Sequence, residues 1–362
     1  MPRSIYIHTL GCKANQYDAE QLAEILRRAG FGVCGADAVP DAVIVQTCAV
    51  TGEAERKCRQ AVRRFRHRFP EAAIIVTGCM ANLSPEAVKE CLPEADFVIP
   101  KTETAHLPEL ITKVTKNAPE AEDKTARLPL QNMQQNIRHK SKAYLKIQDG
   151  CDRFCAYCII PYARGAPASK PAEEIRRELE AAAAQGFRHV QLVGINLAAY
   201  GSDFADGTTL ADAVRLCEQA APFFPQSYSV SFGSLEPDLL TEELLAGIAS
   251  PLLLPQFHIS LQSGSDTVLR RMGRRYTAAE YAEVIHRVRR HFPAAVITTD
   301  VIVGFPGETE AEFKDTVRFV QKMGFGKVHA FPFSPREGTP AAAMPNQVPQ
   351  EEKKKRVAAL LV

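Results

Sequence analysis

The sequence predicts an α/β protein in two parts, an open parallel sheet followed by an α/β barrel, complete or partial. Three observations predict it. Short apolar runs alternate with helical patterns along most of the 362-residue chain, the pattern of parallel strands joined by crossover helices. Hydrophobic residues make up 46% and charged residues 24%, which allows a sizeable core and argues against disorder, collagen or coiled coil. A polar, weakly periodic stretch from Asn117 to Ser141 divides the alternation into two series.

In the first series, Ser4–Thr9 (SIYIHT) reads as a strand, followed by Leu10-Gly11-Cys12 and a helix from Asn15 to Ala29 that stops at Gly30. Ala42–Gln46 is a second strand ending at Thr47-Cys48. A basic helix over about Glu53 to Arg68 follows and is stopped by Pro70. Ala73–Thr77 is a third strand ending at Gly78-Cys79, with a helix expected after Ser84-Pro85. In the second series the strands are Tyr144–Gln148, His189–Gly194, Tyr228–Phe232, Phe257–Gln262, Val296–Val303 and Lys327–Phe331. The helix after Pro171 ends at Gly186, and Thr277-x-x-Glu280 and Thr309-x-x-Glu312 read as capping boxes. This repeat fits the barrel. A short charged helix, Gln350–Val362, closes the sequence. The expected division is 1–116, a linker 117–141, a barrel 142–345 and a C-terminal helix 346–362.

No apolar run approaches the length of a membrane span, and MPRSIYIHTLGC has no cleavable signal layout. The expected location is the cytoplasm. A net charge of +2 does not by itself announce a nucleic-acid binder. The chain has ten cysteines, which in a cytoplasm are reduced thiols, metal ligands or catalytic groups rather than disulfides.

Cys12, Cys48 and Cys79 each fall just past the end of an apolar run. In an open parallel sheet the carboxyl ends of the strands share one edge, where ligands bind, so three thiols distant in sequence converge. Cys34, Cys58 and Cys91 lack this placement and read as buried small hydrophobes. Cys151, Cys155 and Cys158 form C-x3-C-x2-C directly after the first barrel strand. Three thiolates on one loop can hold three corners of a cubane iron–sulfur cluster and leave one iron open for an exogenous ligand. The alternative is a zinc site completed by His or Cys elsewhere, although zinc knuckles favour paired C-x2-C units.

This loop, so placed in a βα series, resembles that of the radical S-adenosylmethionine (SAM) superfamily. The resemblance extends further, in the right order, to the methylthiotransferase family. It runs through TLGCKANQYDAE (Thr9–Glu20), QTCAVTGEAERKCRQ (Gln46–Gln60), VTGCMA (Val76–Ala81) and YLKIQDGCDRFCAYCIIPYARG (Tyr144–Gly165). It continues in HISLQSGSDTVLRRMGRRYT (His258–Thr277) and TTDVIVGFPGETEAEF (Thr298–Phe313). The resemblance implies a partial (β/α)6 TIM-like barrel and two 4Fe-4S clusters. One would be held by Cys151, Cys155 and Cys158 and would bind SAM. The other would be held by Cys12, Cys48 and Cys79 and would deliver the sulfur. SAM cleavage would yield a 5′-deoxyadenosyl radical that removes hydrogen from an unactivated C–H, and a further SAM would supply the methyl. The cofactors carry the hard chemistry and the protein binds, orients and shields.

Implied cofactor contacts are Tyr157 against the adenine, Gly194 and Asn196 after the second strand, Ser231 and Glu236 after the third, and Gln262 and Ser263 after the fourth. Asp300, Val303 and Gly304 belong to the fifth. For each of these outside the loop, barrel packing is the competing role, and His258 is assigned to the core rather than to a metal. The wording of the motifs is most similar to the bacterial threonylcarbamoyladenosine branch, which acts on tRNA. The isopentenyladenosine branch and the branch modifying an aspartate of a ribosomal protein are the alternatives, with a non-catalytic zinc-stabilised RNA-binding protein as the remaining one. Arg56, Lys57, Arg59, Arg63, Arg64, Arg66 and Arg68 crowd one helix and are candidate phosphate contacts, or else a solvated helix face. Arg270, Arg271, Arg274 and Arg275 form a second basic group after the fourth strand, which lines the same approach or else is an exposed loop.

The implied partners are tRNA, an electron donor such as flavodoxin or ferredoxin, and a sulfur donor that the sequence does not name; a monomer is expected. The family carries a C-terminal β-barrel RNA-binding domain (TRAM) after a segment like PNQVPQEEKKKRVAALL, and this sequence stops at Val362, where that domain is expected to begin. Two smaller departures are Gln46, where the family often has Asn, and Ala168-Ser169-Lys170-Pro171, where it commonly has Arg-Ser-Arg-Pro.

Overall fold

A computed structural model describes residues 3–115 and 142–360. The linker expectation therefore lies outside the described residues. The chain divides into an N-terminal unit, Met1–Ser141 with Tyr162–Arg164, and a second unit, Lys142–Pro161 with Gly165–Val362.

In the N-terminal unit the elements are β1 (Ser4–Thr9), α1 (Lys13–Arg28), β2 (Gly32–Cys34), β3 (Ala42–Thr47), α2 (Gly52–Arg68), β4 (Ala73–Gly78), α3 (Cys79–Leu83), α4 (Pro85–Cys91), β5 (Phe97–Val98) and α5 (Leu107–Val114). The strands form one parallel sheet in the order β2-β1-β3-β4-β5. Strand β3 is buried along its whole length, which is why it reads as an unbroken apolar run rather than an alternation. Ile5, Ile44 and Ile75 from the sheet pack with Leu22 and Leu26 of α1 and Leu107 and Ile111 of α5. The short strand β5 was not foreseen, because so brief a segment carries no measurable periodicity, and β2 makes the AGFGVCG region around Cys34, readable as turn or strand, a strand.

In the second unit the strands are β6 (Ala143–Lys146), β7 (Gln148–Asp149), β8 (Ala168–Ser169), β9 (His189–Val193), β10 (Ser229–Phe232), β11 (Ser234–Leu235), β12 (Gln256–Ile259), β13 (Val296–Val303) and β14 (Lys327–Pro332). β6, β9 and β10 form one parallel block and β11 to β14 another, each in sequence order, with β7 and β8 as an antiparallel pair. The long strands fall where the alternation placed them. Among the described residues β6 and β14 lie in different sheets, so the barrel is partial. Both expected capping boxes form, at Thr277/Glu280 and Thr309/Glu312. The last helix, Gln350–Leu360, buries Lys353, Arg356 and Leu360. Arg356 is 2.7 Å from Glu308 Oε2, and Glu308 in turn accepts from the backbone N–H of Gly304 at 2.6 Å. Among the described residues no helix is long and apolar enough to cross a membrane.

The spare cysteines require a correction. Cys58 and Cys217 are fully buried, but Cys34 is partly exposed and Cys91 is exposed. Cys34 sits on the edge strand β2 and Cys91 in the last turn of α4. Membership of an element does not decide which face a residue takes.

Glu312 joins two helices of the second unit, its own, Glu310–Met323, and Asp266–Met272. It receives hydrogen bonds from Arg271 Nη1 at 2.9 Å, Thr267 Oγ1 at 2.5 Å and the Thr309 N–H at 2.8 Å. Burial alone would push its carboxyl up, but these donors outweigh it and hold it down at about 2. A carboxylate that ionises more readily in the folded state stabilises fully above its unfolded value and loses that contribution as pH falls towards the folded one. The urea midpoint of the wild type is therefore expected to fall between pH 5 and pH 3 by more than that of Glu312→Gln, as measured by circular dichroism.

Candidate metal centres

In the N-terminal unit, β1, β3 and β4 are parallel neighbours, so their carboxyl ends share one edge. Cys12 follows β1 and caps α1, Cys48 follows β3, and Cys79 opens α3. Two glycines allow the close approach. At Gly11, with φ +103°, a Cβ would lie 2.7 Å from Cys48 Cβ and 3.0 Å from its Sγ. At Gly78, with φ +97°, it would lie 2.6 Å from the Thr47 carbonyl oxygen. No side chain fits at either place, and both backbones are in the region that favours glycine.

Asn15 fastens the three strand ends. It is fully buried, and its Nδ2 donates to the carbonyls of Leu10 and Thr47, each at 2.8 Å. Its Oδ1 accepts from the Cys79 thiol at 3.7 Å. Sequence reasoning missed this residue, although a polar side chain among the inward positions of α1 was the available signal. Burial pushes the Cys48 thiol up to about 12, with Cys79 and Cys12 adding to the shift, and burial likewise raises Cys79. These thiols oppose one another's ionisation. A metal cation among them reverses that balance, because a coordinating thiol is deprotonated outright.

In the second unit the C-x3-C-x2-C loop leaves β7. Gln148 fixes the turn before it, donating to the carbonyls of Asp149 and Gly150 at 2.8 and 2.9 Å and accepting from the Asn196 N–H at 2.7 Å. The loop is anchored by Cys151 N–H to the Gly165 carbonyl at 3.0 Å and by Ala156 N–H to the Met272 carbonyl at 2.8 Å. Burial pushes Cys158 up to about 12, with Cys155 and Cys151 contributing, so these thiols too oppose one another's ionisation. Phe154, between the first two cysteines, has φ +47° and is 56% exposed.

Arg274 lies beneath this loop. Its Nη1 donates to Cys155 Sγ at 3.3 Å and to the Tyr157 hydroxyl at 3.5 Å, and its Nε donates to the Tyr276 hydroxyl at 3.0 Å. It also pairs with Glu236, whose carboxyl burial pushes up and Arg274 pulls back. Arg153 meets Asp238 through two hydrogen bonds, at 2.6 and 3.1 Å. Arg274 is thus a buried partner of Glu236 and not an exposed basic residue, and Arg271 is held by Glu312. The exposed reading of that second basic group fails for both.

The remaining expected contacts divide. Asn196 is buried, and among the described residues its Oδ1 has no hydrogen-bond partner, which leaves an acceptor for a ligand. Gly194 packs against Gln148, Ser231 pairs with His189 at 2.9 Å, and Asp300 faces His258 at 3.2 Å. Gln262 has φ +66° and donates its N–H to the Asp300 carbonyl at 2.8 Å. Ser263 is fully buried and bonded to Thr316 at 3.1 Å, and Val303 is a core residue. At Gly304 a Cβ would meet Lys353 Cγ at 2.4 Å. These three positions serve packing in this structure.

On α2, Arg56 and Lys57 lie near Glu53, Arg59 near Glu55, Arg63 near Glu94 and Arg66 near Asp96. Arg64 and Arg68 are exposed and lie over the rings of Phe65 and Phe69.

Residues 145–320 match the radical SAM superfamily and residues 4–100 the family described as uncharacterized protein family UPF0004. The chain is 38% identical to the threonylcarbamoyladenosine tRNA methylthiotransferase MtaB of Thermotoga maritima, over 98% of this chain and 80% of that protein. It is 33% identical to MtaB of Bacillus subtilis, over 99% and 79%. It is also 35% identical to a tRNA-2-methylthio-N(6)-dimethylallyladenosine synthase of Wolbachia pipientis, over 98% and 82%. The chain belongs to the radical SAM tRNA methylthiotransferase family. It is a transferase that acts on tRNA and uses SAM and a 4Fe-4S cluster. Among solved structures, the radical SAM methyltransferase TsrM of Kitasatospora setae matches with a TM-score of 0.66 at 15% identity, over 94% of this chain and 77% of that one. The radical SAM enzyme OxsB matches with a TM-score of 0.62 at 14% identity, over 88% and 52%. These two likenesses are of fold.

The barrel donors fit the cluster by their chemistry, three thiols on one short loop with an open acceptor on Asn196. Among the described residues no three His, Cys, Asp or Glu are gathered tightly enough for a single metal ion. The Arg274–Glu236 pair under the loop yields a test. Removing one member of a buried pair strands the other, at a cost of about 3 kcal/mol. Glu236→Gln is expected to lower unfolding stability by that order in urea titrations, well beyond Glu53→Gln on the exposed face of α2.

Proposed function

We propose that this methylthiotransferase converts the C–H at carbon 2 of N(6)-threonylcarbamoyladenosine, next to the anticodon, to C–SCH3, giving 2-methylthio-N(6)-threonylcarbamoyladenosine. The observation that carries the substrate is the set of MtaB relatives at 33–38% identity over nearly the whole chain. The N-terminal triad, Cys12, Cys48 and Cys79, holds a second 4Fe-4S cluster in this reading, supported by the convergence of the three strand ends on Asn15.

When bound, the barrel cluster and SAM supply one-electron cleavage strong enough to activate an unreactive C–H bond. The protein's own contribution is positional. Gln148 and the backbone anchors of Cys151 and Ala156 hold the three-thiol loop, while Arg274 places a fixed cation and N–H donors beside Cys155. Asn196 presents its buried acceptor, and Glu236 keeps Arg274 compensated. A buried constellation of this kind keeps its groups aimed without reorganisation during the reaction.

Phosphate contact in this reading falls to Arg64 and Arg68, since the other cations of α2 already have acidic neighbours. Neutralising phosphates releases counterions and makes binding salt-dependent. Replacing both by Gln is expected to weaken tRNA binding and lower the slope of log affinity against log salt by about two, measured by filter binding across a salt series. For the substrate itself, tRNA from a deletion strain, with and without this chain supplied, is digested to nucleosides and analysed by mass spectrometry. The methylthio-threonylcarbamoyl nucleoside is expected to return. Return of the methylthio form of isopentenyladenosine instead transfers the assignment to that branch.

A further inference from the structure

The N-terminal triad has a buried, charged neighbour, Arg164. Arg164 follows the C-x3-C-x2-C loop in sequence, yet Tyr162–Arg164 belongs to the N-terminal unit. Its side chain is only 2% exposed. Nη2 donates to Asn15 Oδ1 at 2.6 Å and lies 3.2 Å from Asp18 Oδ2. The Cys79 thiol donates to the same Asn15 Oδ1 at 3.7 Å, so guanidinium and thiol meet at one acceptor. Asp18 is itself buried and has a second cation, Lys101, at 3.2 Å.

A buried ion pair adds little net stability, because desolvation offsets the attraction. What this arrangement supplies is a fixed, buried positive charge beside one sulfur of the triad. A rigid planar fork does this better than a lysine. Three thiolates around a four-iron cluster leave a net negative charge that grows on reduction. Hydrogen bonds to the sulfurs and nearby charge are among the quantities that set such a cluster's potential. A cation beside Cys79 favours the reduced form.

We propose that Arg164, held by Asn15 and Asp18, is the positioning residue of the N-terminal cluster: it places a buried positive charge beside the Cys79 sulfur and keeps that cluster's reduction potential high. The inference rests on the reading of Cys12, Cys48 and Cys79 as cluster ligands. Full-length protein is reconstituted anaerobically, its iron is counted, and each cluster is titrated potentiometrically by electron paramagnetic resonance. Cys12→Ala identifies the N-terminal signal. The wild type is expected to hold about eight irons per chain, from two four-iron clusters. Arg164→Leu and Arg164→Gln are expected to move the N-terminal midpoint to lower potential, with the barrel signal as internal reference.

Arg164→Gln keeps a hydrogen-bonding side chain in place without the charge, so it answers the question if the Leu variant loses the cluster. A wild-type N-terminal midpoint in a two-cluster Arg164→Gln protein overturns the proposal. A wild type with about four irons and one signal overturns the cluster reading of the triad and the inference with it.

Discussion

Gathering three thiols in a protein interior is unfavourable until a cation joins them. Burial raises the resistance of Cys48, Cys79, Cys151 and Cys158 to ionisation, and neighbouring sulfurs raise it further. Both units contain the same answer, a backbone rigid enough to hold the sulfurs together in advance. In the N-terminal unit this is done by parallel strand ends, two glycines without room for a Cβ, and the four hydrogen bonds of Asn15. In the second unit it is done by one short loop whose backbone is tied at Cys151 and Ala156. The rest of each unit serves to keep those elements still.

The two solutions differ in how far apart the donors lie in the chain. A loop brings its cysteines together locally and needs only correct turns. A sheet edge brings together residues that are distant in sequence, and it works only if the strand order is right. In the order β2-β1-β3-β4-β5, the three strands that lead into cysteines are consecutive neighbours. The cysteine triad therefore depends on the topology of the sheet, and its geometry inherits the stability of the core around Ile5, Ile44 and Ile75.

Much of this was legible in the sequence. The long strands stood out as apolar runs, and the helices between them carried capping boxes and glycine stops. The six cysteines followed from their position after strands and from the loop spacing. What sequence could not supply was the partner of each charge. Seven cations crowd α2, but only the folded chain shows that Glu53, Glu55, Glu94 and Asp96 engage five of them and leave Arg64 and Arg68 over aromatic rings. Arg274 reads as one more exposed basic residue until Glu236, Tyr157 and Cys155 are seen around it. Cys91 failed for a related reason, since nothing in a short helix announces which side faces water. Pairings across long sequence separations carry no periodicity.

The N-terminal unit has an unusual boundary. It does not end where the first series of strands and helices ends, because Tyr162–Arg164 is part of it. A fragment cut after the last helix of that unit would keep all three thiols and Asn15 but lose the guanidinium beside Cys79. It would also leave Asp18 with one buried cation fewer. The N-terminal unit is thus discontinuous in sequence, and it is complete only when Tyr162–Arg164 is present.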